Sequence, residues 1–330
     1  MNLATHAGLI AGTSVLTIAS AGTAGDLDSV IDGIINDSAT ISGDDAFSMS
    51  GLFAYGFVNE DSDDYAGAIG SSHLSFEGSA GGWNWGFNYV LGGNAGFYGS
   101  DSDGDGANDE LRDYGIWQEM DNGLAIGFGN VKSNFFGANS VDEANTLMIN
   151  NTQTGAALEG RGEQIGICYS ADQFKVSMQA YDAGDAGNDF RVDFLAMGSW
   201  DNCGCFGSMA GSESTLVIGA GMSDDDRLDG NTFDVTYKQD AWAVHAAMTD
   251  VLDGAWEAMT IQASYFFADA TQAYISYEDV EADAGDFDDL DIGINHYYSD
   301  SCKATLEIDF ENDAATDDDM TISGQVQFTF

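Results

Sequence analysis

The chain is 330 residues long and carries 56 Asp and Glu against 8 Lys and Arg, a formal net charge of −48. This balance excludes nucleic acid as a partner, because a phosphate backbone is bound through a basic footprint that is missing here. Proline is absent while Gly (42) and aromatics (12%) are plentiful, a composition that suits many long paired strands. A Pro in such a strand would remove a ladder hydrogen bond that lipid cannot replace.

In chain order, an apolar stretch from Ala7 to Ala19 leads into the small residues "ASAGTAGD". Residues 1–24 read as an export signal, with cleavage after Ala21 or Ala24, although the segment before the apolar stretch carries only His6 in place of Lys or Arg. In residues 25–45, Leu27, Val30, Ile31, Ile34 and Ile35 fall at helical spacing behind Asp26. That segment is either a short helix, plugging the pore or lying on the periplasmic side, or a plain linker. No later run reaches the roughly 18 apolar residues that a spanning helix needs.

Residues 46–330 alternate with period two. Trp83, Trp85, Phe87, Tyr89 and Leu91 interleave with Asn84, Gly86, Asn88 and Val90, while Ile322, Val326, Phe328 and Phe330 oppose Ser323, Gln325, Gln327 and Thr329. Sixteen such runs are expected at 46–58, 66–78, 82–92, 112–120, 123–131, 162–170, 173–182 and 189–200. The second half follows at 213–222, 231–238, 241–249, 258–267, 271–279, 288–298, 302–311 and 319–330. Their connections differ in kind: tight turns such as Gln239-Asp240 alternate with longer acidic, Gly-rich loops such as 93–111 and 132–161. One polar phase, one apolar phase with aromatics near strand ends, and loops sorted by length predict an all-β transmembrane antiparallel barrel of about sixteen strands. Its surroundings would be the lipids of a Gram-negative-type outer membrane. A secreted calcium-binding sandwich or adhesin also alternates, but has no reason to sort its loops this way.

The loop "SDSDGDGANDE" places Asp101, Asp103 and Asp105 at the spacing of the first half of a calcium loop, with Asp109 a further ligand. Arg112 stands where the bidentate Glu belongs, so the alternatives are a structural calcium site or a solvated acidic loop; no other cofactor is implied. The four cysteines include a Cys203-Gly204-Cys205 pair whose spacing is wrong for redox or zinc motifs. In an oxidising compartment one of the pair could bridge Cys168, and Cys302 has no evident partner. No enzyme signature is present: His6, His73, His245 and His296 are scattered, with no metal or nucleophile spacing around them.

Several segments resemble the phosphate-selective porin O and P family, within the general trimeric porins. "GNVKSNFFGANSVDEANTLM" is similar to the segment after the fifth strand, "LRDYGIW" to the preceding strand and "GRGEQIGICYS" to the following one. The ending from "IQASYFFADA" to "TISGQVQFTF" is similar throughout. The resemblance covers about 112–170 and 258–330. It implies a third long loop folded into the lumen, with Lys132, Phe135, Phe136, Asp142, Glu143 and Arg161 as constriction residues. It also implies a homotrimer, and recognition of Phe330 by barrel-assembly machinery.

Phosphate selectivity does not carry over, because it requires a cationic ladder. By alternation the lumen bases are only Lys175, Arg191, Lys238 and Lys303, against Asp113, Glu119, Asp193, Asp234, Asp291, Glu307 and Asp309. The expectation is passive diffusion of small hydrophilic solutes with cation preference. A channel specific for a sugar, peptide, phosphate or metal ion is the alternative.

Overall fold

The computed structural model describes residues 47–60, 66–69, 72–90, 111–137, 146–149, 152–158, 161–182, 186–202, 212–224, 229–283, 285–299, 301–313 and 319–330. The expected signal (1–24), the segment 25–45 and the acidic-loop residues Asp101, Asp103, Asp105 and Asp109 lie outside them.

The strands are β1 (Phe47–Glu60), β2 (Ala66–Ile69 continued by His73–Ala80), β3 (Trp83–Val90), β4 (Leu111–Glu119), β5 (Leu124–Lys132), β6 (Arg161–Ser170), β7 (Phe174–Asp182) and β8 (Ala186–Met197). They continue as β9 (Ser212–Asp224), β10 (Gly230–Asp240), β11 (Trp242–Val251), β12 (Trp256–Ala268), β13 (Thr271–Ala282), β14 (Phe287–Ser299), β15 (Cys302–Asp313) and β16 (Asp319–Thr329). The two pieces of β2 pair with successive stretches of β1 and so form one interrupted strand. Every strand pairs antiparallel with its sequence neighbours, and β16 returns to β1 in the register Leu52↔Thr329 to Glu60↔Thr321. Phe330 seals this seam: its N–H donates to Gly51 O at 3.1 Å and its carbonyl accepts from Gly51 N at 3.0 Å. Closure leaves no sheet edge, which a β structure in lipid requires.

The barrel is inverted relative to a soluble protein. Among the described residues, buried polar side chains outnumber buried hydrophobic ones, and large apolar side chains such as Phe128, Ile165, Ile261, Ile292 and Met248 face outward and exposed. A monomer in water rarely tolerates contiguous apolar surface beyond a few hundred Å², whereas a lipid-facing wall is built from it. On that outer face Phe76 stacks on Phe87 at 4.8 Å between ring centroids, and Trp242 on Tyr265 at 4.3 Å. The tight turns fall where expected. Between β2 and β3 both turn residues, Gly81 (φ 60°) and Gly82 (φ 82°), adopt positive φ, the requirement of a two-residue turn matching strand twist. Several strands on the long-loop side run past the expected ends, to Ala282 in β13 and from Ala186 in β8, whereas β3 stops at Val90, short of 92.

Candidate functional site

The lumen face of the wall carries the chemistry, and the loop between β5 and β6 lies against it. The described part of this loop, 133–137, 146–149 and the short helix α1 (Gln153–Ala157), makes three sets of contacts with the inner wall. Ser133 Oγ donates to Asp189 Oδ2 at 2.5 Å, Asn134 N to Gln179 Oε1 at 2.9 Å, and the Asn134 amide to Ser177 Oγ. Further along, Lys303 Nζ donates to Thr146 O at 3.1 Å and Asn295 Nδ2 to Leu147 O at 2.9 Å. Ile149 N donates to Glu307 Oε2 at 3.1 Å. At α1, Thr154 N reaches Glu278 at 3.2 Å and Trp256 Nε1 donates to Thr154 Oγ1 at 3.3 Å. The loop thus spans the interior from β7 to β15, which is the inward fold expected of it.

Phe135 and Phe136 correct the sequence reading in one respect. They are 0% and 1% exposed and pack with Leu147, Met148, Leu158, Ala247, Val251 and Tyr274. Rings with no surface toward water do not line a passage. They are the apolar anchor by which the loop adheres to the wall.

Beneath Phe135 the wall is cut away to receive it. A Cβ on Gly221 would stand 2.2 Å from Phe135 O, and one on Gly219 would stand 2.1 Å from Arg191 Nη2. Register places Gly219 between Asp193 on β8 and Asp234 on β10. The Arg191 guanidinium lies across that glycine, bound to Asp193 Oδ1 at 2.6 Å and Asp234 Oδ2 at 2.8 Å, and Nη1 donates to Phe135 O at 3.3 Å. One cation therefore ties two carboxylates to the loop backbone.

The other expected lumen bases are engaged as well. Lys238 Nζ donates to Asn202 O at 2.5 Å, and Lys175 Nζ sits 4.4 Å from the Trp200 ring centre. Arg161 Nε bonds Asp113 Oδ1 at 2.8 Å, and Lys132 is in register with Arg161 where the loop leaves and rejoins the wall. Glu119 is half-buried near the end of β4, and Asp291 is buried on β14. Asp142 and Glu143 lie outside the described residues.

Alternation had placed seven acids inward; the structure adds Asp189, Glu278 and Asp289, all buried. The same parity that marks Arg191 and Asp291 marks Asp189 and Asp289, so the signal for these was present. Cys168 is a free thiol on the lumen side, 3.9 Å from Ser170 Oγ, so the possible bridge to Cys203 or Cys205 is not made. Cys302 is free too, and Cys203 and Cys205 fall outside the described residues.

A closed sixteen-stranded antiparallel ring with a polar interior and its third long loop docked inside has the fold of porin-type β-barrels. Solved structures of this kind match over most of their length. A loop-deletion form of OmpT, an outer membrane protein of Vibrio cholerae, aligns with a TM-score of 0.59 at 15% identity, covering 87% of this chain and 100% of that one. The outer membrane channel DcaP of Acinetobacter baumannii gives 0.59 at 12%, covering 87% and 97%. A mutant of the Rh. blastica porin gives 0.55 at 15%, covering 86% and 100%. No family model and no curated protein matches the sequence.

Proposed function

We propose that this chain forms a water-filled pore in the outer membrane of a Gram-negative-type bacterium and passes small hydrophilic solutes and ions by passive diffusion, with a preference for cations. The observation that carries this reading is the inverted barrel: apolar residues outside, polar residues inside, and a loop docked against the inner wall. Cation preference follows from lumen charge. The bases on the wall are bound to carboxylates, carbonyls or a ring, while several acids, Asp289, Asp291 and Asp309 among them, form no ion pair with Lys or Arg among the described residues. A low-dielectric wall bearing fixed negative charge concentrates cations in the bore.

Two further readings belong to the same proposal. The chain works as a homotrimer, as the trimer form of V. cholerae OmpT, aligned with a TM-score of 0.52, illustrates for this architecture. Phe330, held against Gly51 at the seam, serves as the terminal signal for barrel assembly.

The test is reconstitution in planar bilayers under a KCl gradient. Stepwise conductance with a reversal potential of the sign set by K⁺ permeation is expected. Absence of steps from correctly folded protein would remove the pore reading, and a potential of opposite sign would remove the cation preference.

A further inference from the structure

Three carboxylates on the lumen wall stand together: Asp289 and Asp291 on β14 and Asp309 on β15, with one oxygen of each lying within 4.8 Å of the others. Register explains the crowding. Asp291 is directly opposite Asp309, and Asp289 shares its face of β14 two residues away, opposite Glu278 of β13. Like charges placed opposite one another across strands destabilise the pair. Neighbouring acids relieve their own charge differently: Glu278 accepts from Thr154 N and from Thr260 Oγ1, and Glu307 accepts from Ile149 N and from the Tyr274 hydroxyl. Asp289 is only 7% exposed, and Asp289 Oδ1 and Asp309 Oδ1 are buried with no donor to meet them except the other carboxyl. A carboxylate oxygen withdrawn from water without a donor is strongly unfavourable unless a positive charge meets it.

From this geometry we infer that Asp289, Asp291 and Asp309 form a divalent-cation site of the calcium class inside the barrel. All three ligands are hard oxygens, with no imidazole or thiolate among them, which favours calcium or magnesium over softer metals. Calcium accepts six to eight oxygens in flexible geometry, whereas magnesium demands a near-ideal octahedron, so carboxylates fixed on two strands suit the more permissive ion. Water from the bore completes the coordination. The ion neutralises the wall between Glu278 and Glu307, two of the acids that hold the loop, and so braces the loop's seat from behind. This inference needs the barrel and its wet interior; it does not need the pore to be selective or the solute to be known.

The experiment uses the full chain folded in detergent, freed of metal with chelator and titrated with CaCl2 by calorimetry beside the double variant D291N/D309N. Retained heat-modifiable migration certifies that both are closed barrels. The wild type is expected to show a saturable calcium step, weaker for MgCl2, that the variant lacks; the weak background from exterior acidic loops persists in both. Identical titrations would overturn the site and leave two carboxyls sharing a proton as the explanation. Should the variant not fold, wild-type crystals soaked in CaCl2 decide the matter. An anomalous peak among the three carboxylates supports the inference, and its absence refutes it. Bilayer conductance in calcium-free KCl, measured separately, reports on the pore reading alone.

Discussion

Tyr274 on β13 reaches across Gly293 of β14 to donate its hydroxyl to Glu307 on β15 at 2.5 Å. The three residues lie in one row, Tyr274 opposite Gly293 and Gly293 opposite Glu307. A Cβ on Gly293 would come within 2.2 Å of the tyrosine ring, so the glycine is the gap through which the contact is made. Because Glu307 also accepts from Ile149 N, this row fixes one end of the docked loop.

Gly293→Val is therefore expected to push the ring aside and leave Glu307 with one donor fewer. The loss of a hydrogen bond to a buried charged group is worth about 1–3 kcal/mol. The temperature at which the folded band disappears from detergent gels should fall, and single-channel current should become noisier. Tyr274→Phe, which keeps the ring and removes only the hydroxyl, should move both readouts in the same direction by less. Unchanged behaviour in both variants would show that the row does not hold the loop.

Arg191 carries a sharper expectation. Its side chain is 5% exposed between Asp193 and Asp234, and removing one partner of a buried ion pair typically costs about 3–5 kcal/mol. Arg191→Gln should lower barrel stability strongly, and Arg191→Lys should not restore it, since an ammonium lacks the planar fork that meets two carboxylates and a carbonyl together. Adding Asp193→Asn and Asp234→Asn to Arg191→Gln should recover most of the loss, because it removes the stranded charges. Denaturation midpoints of the four proteins form the check, and a triple variant no more stable than Arg191→Gln would argue against the cluster.

The strands were legible in the sequence because a barrel wall obeys one rule, alternation, along its whole length. Every expected run has its strand, and the inward phase of Arg191, Lys238, Asp291 and Lys303 followed from counting by two. The docking of the loop was legible only as a place in the chain order. Its contacts obey no period: nothing in "NFFGAN" says that Phe135 meets a wall residue with no side chain, or that the partner is Gly221. Such relations depend on register between strands far apart in sequence, and Gly219 and Gly293 acquire meaning only when Arg191 and Tyr274 are set beside them. An aromatic pair in a loop, as at Phe135 and Phe136, is ambiguous in sequence between lining a constriction and anchoring the loop. Burial against Leu147, Leu158 and Val251 decides that they are anchors.

That distinction can be measured. Truncating a fully buried Phe to Ala removes about 3–5 kcal/mol of packing, and here the loss falls on the loop rather than on the hydrogen-bonded ring. Phe135→Ala/Phe136→Ala should still assemble, with unchanged strand content by circular dichroism, yet should admit larger sugars in liposome-swelling assays and show higher conductance. If the barrel failed to assemble, the two rings would be stabilising the wall, and the loop could not be treated as a separately docked element.

The sharpest test of the inverted wall uses neighbouring residues on one strand. Ile292 is 45% exposed on the outside of β14, and Asp291 is buried on the inside. Arginine or lysine on the lipid face near mid-membrane costs about 2–4 kcal/mol, because no water or counter-charge meets it there. Ile292→Arg should therefore reduce assembly into the membrane. Asp291→Lys places the same sign of charge one residue away, where Asp289 and Asp309 flank it. It should assemble at least as well as the parent and, in bilayers, shift the reversal potential away from cations. Equal tolerance of the two changes would mean that the faces of β14 are not divided between lipid and water, whereas the opposite order would put the charged face outside and turn the barrel inside out.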